Sequence, residues 1–507
     1  MKELANTVST PLRGTERLSA IDEFIRLSPD TDESSLANKR HFTASLRCVI
    51  ADSPMRSYLK QSKGHSGYWA CDRCIQKGEI CGDGSRVIVM RNVNAPLRND
   101  ADFLSYHVND FSNDDHLDPN HISPFVRLNH PMVTGFVIDP MHTMIDGAFG
   151  RRLIGFASVP GEGKLSKTQL AEVNTRIAVF KSWKVNDFDR YVENLNGCGN
   201  YKMHVKRQFL YYHLYPVFEG ILPDIDLNHI MMLQYSMLLL GSFESKPVHN
   251  SDIIEAQKIL NMYAVELSER DIPCRFVSHQ ITHMPQDVAK YKCGTEKLSA
   301  FQYESFLIFF RRSLRSGNLP TEQLRNRLVE KKKYQLPTTA SGVIIDNKVQ
   351  LLLEAKRKSN ACAPIQYHHK GENLPKKMPN NFCALSDGSI IVCSDFVYDD
   401  VNVSHSVIVG RKFRCLQPAF VKPYLSSDYG IYLGSNLSEV TERWPVTNVT
   451  AKIQAFPRRP HGKPNLGDKN QEWYLIPLRH TIKNVLWNPR WKTELGLTGG
   501  EEHEQVF

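Results

Sequence analysis

The pattern of apolar and polar positions changes texture along the chain. Residues 1–45 are largely polar, but Leu18, Ile21, Phe24, Ile25 and Leu27 recur at a spacing that predicts a short amphipathic helix over 17–27. Residues 45–52 (SLRCVIAD) then run apolar and β-branched into an aspartate. That pattern predicts a buried strand whose last residue, Asp52, emerges at the carboxyl edge of a sheet. Ser53 and Pro54 fit the cap and first turn of a following helix. Residues 64–84 read as a Gly- and Cys-rich hairpin or knuckle, and 95–130 as a long polar loop. Residues 135–156 predict a short strand ending at Asp139 that continues as a helix. Helical periodicity dominates 165–335, with breaks near 242–250 and 270–275. The run Ile230–Leu240 contains Gln234 and Ser236 and is too short for a membrane span, so it predicts a buried core helix. Beyond residue 336 a PTTASG stretch gives way to short alternating runs separated by Asp-Gly and Gly turns, the signature of a compact all-β domain.

Composition adds bounds rather than detail. With 41% apolar and 23% charged residues over 507 positions, wholesale disorder is excluded. The 63 Lys and Arg outnumber 54 Asp and Glu, and the surplus of +9 permits a polyanionic partner without demanding one. That surplus is concentrated. Residues 311–333, with Arg311, Arg312, Arg315, Arg325, Arg327, Lys331, Lys332 and Lys333, carry a local +6, and residues 452–493 carry +7. Such stretches suit phosphate backbones, a solvated face being the ordinary alternative. The first residues hold no apolar leader segment, so a secreted protein is not expected. Eleven scattered cysteines do not form a disulfide framework and fit a reducing compartment.

A few positions make chemical claims. Asp52, at a strand end, suits a hard cation such as Mg²⁺, or simply caps the next helix. Cys71 and Cys74 (CDRC) can both reach one tetrahedral Zn²⁺ but supply only half a site. Cys81 and His65 are local candidates for the rest. His279 and His283 are distant ones, at a spacing that shares a helix face. The absence of Glu after His279 excludes a zinc-protease HExxH. Glu304 sits in an apolar helix beside Phe301, Phe306, Phe309 and Phe310, either paired with Arg311 or Arg312 or functional.

Taken together, VIADSPMRSYLKQSKGHSGYWACDRCIQKGE, DPMH (139–142), SHQITHMPQDV (278–288) and SAFQYESFLIFFRRSLRSGNLPTEQLRNRL (299–328) resemble, in order, transposase-domain proteins related to CACTA/EnSpm DNA transposons. The pieces DGSIIV, IVGRKF and YGIYLGSNLS resemble that family's β-rich tail. The likeness spans roughly residues 40–485. It implies a DDE-type transposase with an α/β, partial RNase H-like core carrying a large α-helical insertion, plus a C-terminal all-β domain. It divides the chain into an N-terminal helix and loop (1–45), a partial core with the CxxC knuckle (46–150), the helical insertion (151–275) and helices closing the core (276–335). A linker (336–374), a small β-rich domain (375–490) and a tail (491–507) follow.

The resemblance also implies roles. Asp52 matches the family's second catalytic aspartate and Glu304 its glutamate, both as Mg²⁺ or Mn²⁺ ligands. His142 of DPMH is expected near the active site, touching substrate phosphate, with Asp139 beside it. Cys71, Cys74, His279 and His283 resemble the split structural zinc site of Transib transposases and the V(D)J recombinase. The family's first aspartate lies on a strand well upstream of the second, and no strand ending in Asp precedes Asp52 here: Asp22 falls in a helical pattern, Asp30 and Asp32 in a polar loop. The expectation is therefore a transposon-derived, DNA-binding protein, catalytically incompetent as written. The alternatives are an active Mg²⁺-dependent transposase or nuclease completed by another chain or a missing exon, and a non-enzymatic, zinc-stabilised interaction scaffold. Expected partners are DNA, through 311–333 and 452–493, and a second copy as homodimer, with no membrane. The expected location is the nucleus, with the cytoplasm as alternative.

Overall fold

A computed structural model describes residues 46–479, apart from 83–85, 105–115, 118–120, 160–162, 242–247, 305–310, 312, 335–348, 352–365, 370–371, 376–377, 398–405 and 460–463. The expected helix at 17–27, the segment 491–507 and the end of the second basic stretch lie outside these residues.

Strands Val49–Ala51 and Phe136–Ile138 pair in parallel, with Ala51 opposite Ile138. Asp52 and Asp139 therefore leave the sheet side by side at its carboxyl edge. Asp52 caps the helix Ser53–Lys60: its carboxylate accepts from the Met55 amide at 2.8 Å, and Pro54 occupies the first turn, where no amide partner is needed. After Ile138 the chain enters a π-helical segment, Met141–Phe149, that continues as α-helix Gly150–Ser158. The 95–130 segment, expected to be loop, contains two short helices, Asp100–Leu104 and Pro124–Arg127. The second is capped by Ser123, whose hydroxyl also donates to the Leu59 carbonyl.

The helical part is built round Asp224–Leu240, buried almost throughout from Leu227 onward. A helix apolar on all sides must be surrounded. Helices Lys167–Lys181, Met203–Gln208 and Asn250–Glu269 share its core, with Phe149, Phe156, Phe180, Phe209 and Tyr263 packed inside. Gln234 is the polar exception. The neighbouring π-helical turn Phe209–His213 leaves carbonyls at Leu210 and Tyr211, and the Gln234 amide donates to both at 2.7 and 3.2 Å.

The C-terminal strands form one antiparallel sheet that closes on itself. Tyr432–Leu437, Trp473–Pro477, Val449–Pro457, Phe382–Leu385, Ile390–Val397 and Val407–Pro418 follow in order, and the last also pairs with the first. Closure removes sheet edges and gives a small barrel. Glu442–Pro445 pairs with the early half of Val407–Pro418, whose later half pairs with Tyr432–Leu437. The switch follows a bulge at Val409/Gly410, where a Cβ on Gly410 would meet the Val392 carbonyl oxygen at 2.5 Å. Phe382, Phe413, Ile453, Trp473 and Leu475 fill the inside.

The expected division between helices and β domain is not a division of the core. Phe420, Tyr424, Phe456 and Tyr474 share one hydrophobic cluster with the helices. Phe456 stacks on Phe180 at 4.4 Å, and the Tyr424 hydroxyl donates to Gln234 at 2.7 Å. The buried Lys452 ammonium pairs with Asp187, and Arg458 and the Tyr474 hydroxyl both bond Glu219. The expected linker 336–374 is not wholly irregular either. Val349–Leu351, Gln366–His369 and Glu372–Pro375 pair into a three-stranded sheet.

His213, wedged between Phe180 and Phe456, reports on this shared core. Burial pushes its imidazole down to about 3, against a hydrogen bond with the Gln208 backbone that raises it. The unfolded chain takes up this proton near pH 6.5, the folded chain only near 3, so the contribution to stability is complete above about 6.5 and is lost as pH falls toward 3. His213→Phe should therefore reduce the slope of unfolding free energy between about pH 6 and 4 by roughly 1.4 kcal/mol per pH unit, measured by denaturant titration at each pH.

Candidate metal centre

The two halves of the expected zinc site meet. The ligand atoms of Cys71, Cys74, His279 and His283 all lie within 4.8 Å of one another, and the four residues are buried. His283 Nε2 is 3.6 Å from Cys71 Sγ, His279 Nε2 is 3.2 Å from Cys74 Sγ, and the two Nε2 atoms are 3.3 Å apart. With Zn–S near 2.3 Å and Zn–N near 2.0–2.1 Å, a tetrahedral centre separates sulfur from nitrogen by about 3.6 Å and nitrogen from nitrogen by about 3.3 Å. The donor set therefore fits a metal ion such as zinc. Four buried protein ligands leave no open position, which is the form of a structural site. Burial pushes the Cys71 thiol up, but its contact with Cys74 and the two imidazoles hold it well below the ordinary thiol value, so a thiolate is favoured there.

Local structure explains the convergence. His279 closes the helix Phe276–Gln280 and His283 ends a tighter 3₁₀ turn, Ile281–His283, before helix Met284–Tyr291. The Thr282 hydroxyl donates to the His279 carbonyl at 2.7 Å inside that turn. His279 Nδ1 is buried without an acceptor, a departure from the usual second hydrogen bond of a ligand imidazole. Cys81 and His65, the local alternatives, are not part of the cluster.

The two residues between the cysteines carry information the sequence reading missed. Asp72 is buried and accepts from Arg56 Nε at 3.1 Å and from the Gln280 amide at 2.5 Å, with Lys60 at 3.5 Å. Arg56 in turn donates to Gln280 Oε1 at 2.5 Å. Burial pushes the Asp72 carboxyl up, but Lys60, Arg56 and Arg73 outweigh it and hold the group well below the usual carboxylate range. Burial pushes Lys60 down to about 8. Arg73 faces the other way, with both oxygens of Asp287 at 2.7 and 2.9 Å and the Phe136 carbonyl at 2.5 Å. Asp287 also accepts from the Ile138 amide at 2.9 Å. One arm thus runs to the helix that Asp52 caps, the other to the strand that ends in Asp139. Arg56 and Lys60 at i and i+4, and Gln280 between the two histidines, were the signals available in the sequence.

At the sheet edge, Asp139 is fully buried and its oxygens are taken. They accept from the amides of Met141, His142 and Ala300 and from His142 Nδ1 at 2.5 Å. This fixes the imidazole so that Nε2 faces Glu304, at 3.4 Å. The hydrogen bond to Asp139 raises the His142 pKa; partial burial opposes it, and the charges of Asp139, Glu304 and Asp52 add to the rise. Glu304, half exposed, pairs with His142 rather than with the expected arginines. Phe306, Phe309, Phe310 and Arg312 lie outside the described residues. Asp52, Asp139, His142 and Glu304 therefore gather at one edge. Among the described residues, the Cys–His group alone assembles three or more metal-ligating side chains.

A family model described as a domain of unknown function, DUF8592, matches residues 354–478, which include the whole barrel. No curated protein and no solved structure matches the chain. No helix among the described residues is long and apolar enough to cross a membrane.

Asp72→Asn should leave Arg56 and Lys60 buried without a counter-charge and cost about 3–5 kcal/mol of stability by chemical denaturation, while bound metal persists. Cys81→Ser should change neither quantity. In an NMR titration the His142 imidazole should titrate above the ordinary value near 6.5. Asp139→Asn should bring it down, and unchanged titration would contradict the hydrogen-bonded arrangement.

Proposed function

We propose that the chain is a transposon-derived, DDE-type transposase-like protein that binds DNA and does not cut it unaided. The observation that carries this reading is the convergence of CxxC and HxxxH, 205 residues apart in the Cys74–His279 contact, into one closed donor set wired to the carboxylates at the sheet edge. Two neighbouring parallel strands with acidic residues at their carboxyl ends are also the piece of sheet that an RNase H-like core would contribute. His142, held by Asp139, directs a protonated Nε2 toward the edge where a phosphate would lie.

The DNA surface in this reading is the 311–333 stretch, where Arg311 and Arg325 are exposed and Pro320–Tyr334 is helical. The 452–493 stretch supports it less: Lys452 is buried against Asp187, and Arg458 pairs with Glu219 and Glu472. A protein acting on DNA would work in the nucleus.

Mg²⁺ or Mn²⁺ in such cores activates the attacking oxygen and stabilises the leaving one. Asp52 and Glu304 would be its ligands, yet Glu304 faces His142, and Asp139 is already saturated by amides and imidazole. The described donors do not make a two-metal site, and we derive no cleavage step through one.

Anisotropy titrations with duplex DNA should show log K falling with log salt at about −0.9 per neutralised phosphate. Absent or salt-independent binding would move the reading to a zinc-stabilised interaction scaffold. No product is expected when the chain is incubated with Mn²⁺ and nicked or terminal-repeat DNA. Cleavage lost in Asp52→Ala would overturn the claim of incompetence and point to an active transposase.

A further inference from the structure

A cavity of about 200 Å³ lies away from the carboxylate edge, between the Gly150–Ser158 helix, the end of Asn250–Glu269 and the start of Phe276–Gln280. Arg151, Arg152, Arg275 and Ser278 line it together with Leu267 and Ile272, and no lining residue is acidic. A single water needs only about 10–15 Å³ of such space, so the cavity admits a larger occupant. Its walls run from surface to interior: Arg151 is exposed, Arg275 half-buried, and Arg152 and Ser278 buried. Arg152 is held by packing, its guanidinium 4.7 Å from the Phe156 ring centroid. Arg275 forms no ion pair among the described residues. The nearby acids Glu266 and Asp226 are engaged with Arg270.

Several guanidinium groups around one recess without a lining carboxylate make a cost that an anion would remove. Planar guanidinium forks match phosphate oxygens, and Ser278 adds a hydroxyl donor. The geometry points to a phosphate-binding site in this cavity. Its occupant is a phosphoryl group, either a phosphodiester of a nucleic-acid strand or a small free phosphate. The site does not depend on cleavage chemistry, and none of its residues belongs to the carboxylate edge or the metal centre.

The test uses the full chain and two probes, inorganic phosphate and a single-stranded oligonucleotide, with Arg151→Gln and Arg275→Gln as variants. Metal content and melting temperature in phosphate-free buffer establish that each variant is folded. Calorimetry should show saturable phosphate binding to the wild type, weakened at least tenfold in each variant. If the physiological source is nucleic acid, phosphate competes with the oligonucleotide and each variant lowers the salt slope by about one. If the source is a small phosphate, oligonucleotide binding is untouched by either variant while phosphate binding is lost. Phosphate binding that is absent, or equal in wild type and both folded variants, would overturn the site. Failure of all DNA binding with phosphate binding intact would sink the proposed function and leave this inference standing.

Discussion

The fold around the sheet edge depends on one constraint: four side chains from segments about 200 residues apart must share a volume the size of a single ion. Closing so long a loop costs only about 0.6 kcal/mol more for each doubling of length, so the separation is tolerable once a strong cross-link exists. The thiols and imidazoles supply it if a metal joins them, because such bonds are worth far more than the hydrogen bonds around them. Without it, two buried thiols and two buried imidazoles face one another with little gain to offset their desolvation.

That cross-link also sets the placement of the acidic residues. Between its cysteines, Asp72 reaches Arg56 on the helix capped by Asp52, and Arg73 reaches Asp287, which holds the strand leading into Asp139. Asp139 then anchors both His142 and the amide of Ala300, four residues before Glu304. The metal centre, the paired strands and the helical turn carrying Glu304 thus form one chain of buried polar contacts. Buried charges of this kind are held only by their partners, so the network is expected to be cooperative.

Much of this was legible in the sequence because local rules and global fold agree. The strand ending at Asp52, its Ser-Pro helix, the buried 230–240 helix and the CxxC with HxxxH each follow from spacing or residue type. Other features were not. The Asp72 and Arg73 contacts depend on residues more than 200 positions away, which no local pattern encodes. The short helices inside 95–130 are too brief for periodicity to reveal. The β strands pack on the helices through Phe456, Tyr424 and Tyr474, so an alternating texture that reads as a separate domain belongs to a shared core. The ion pairs that absorb Lys452 and Arg458 show why a count of local charge overstates an exposed basic surface.

Metal analysis tests the central claim most directly. The purified chain should carry about one zinc ion, and Cys71→Ser and His283→Ala should each lose it. Zinc retained in His283→Ala but lost in Cys81→Ser would contradict the shared site and with it the constraint on which this account rests.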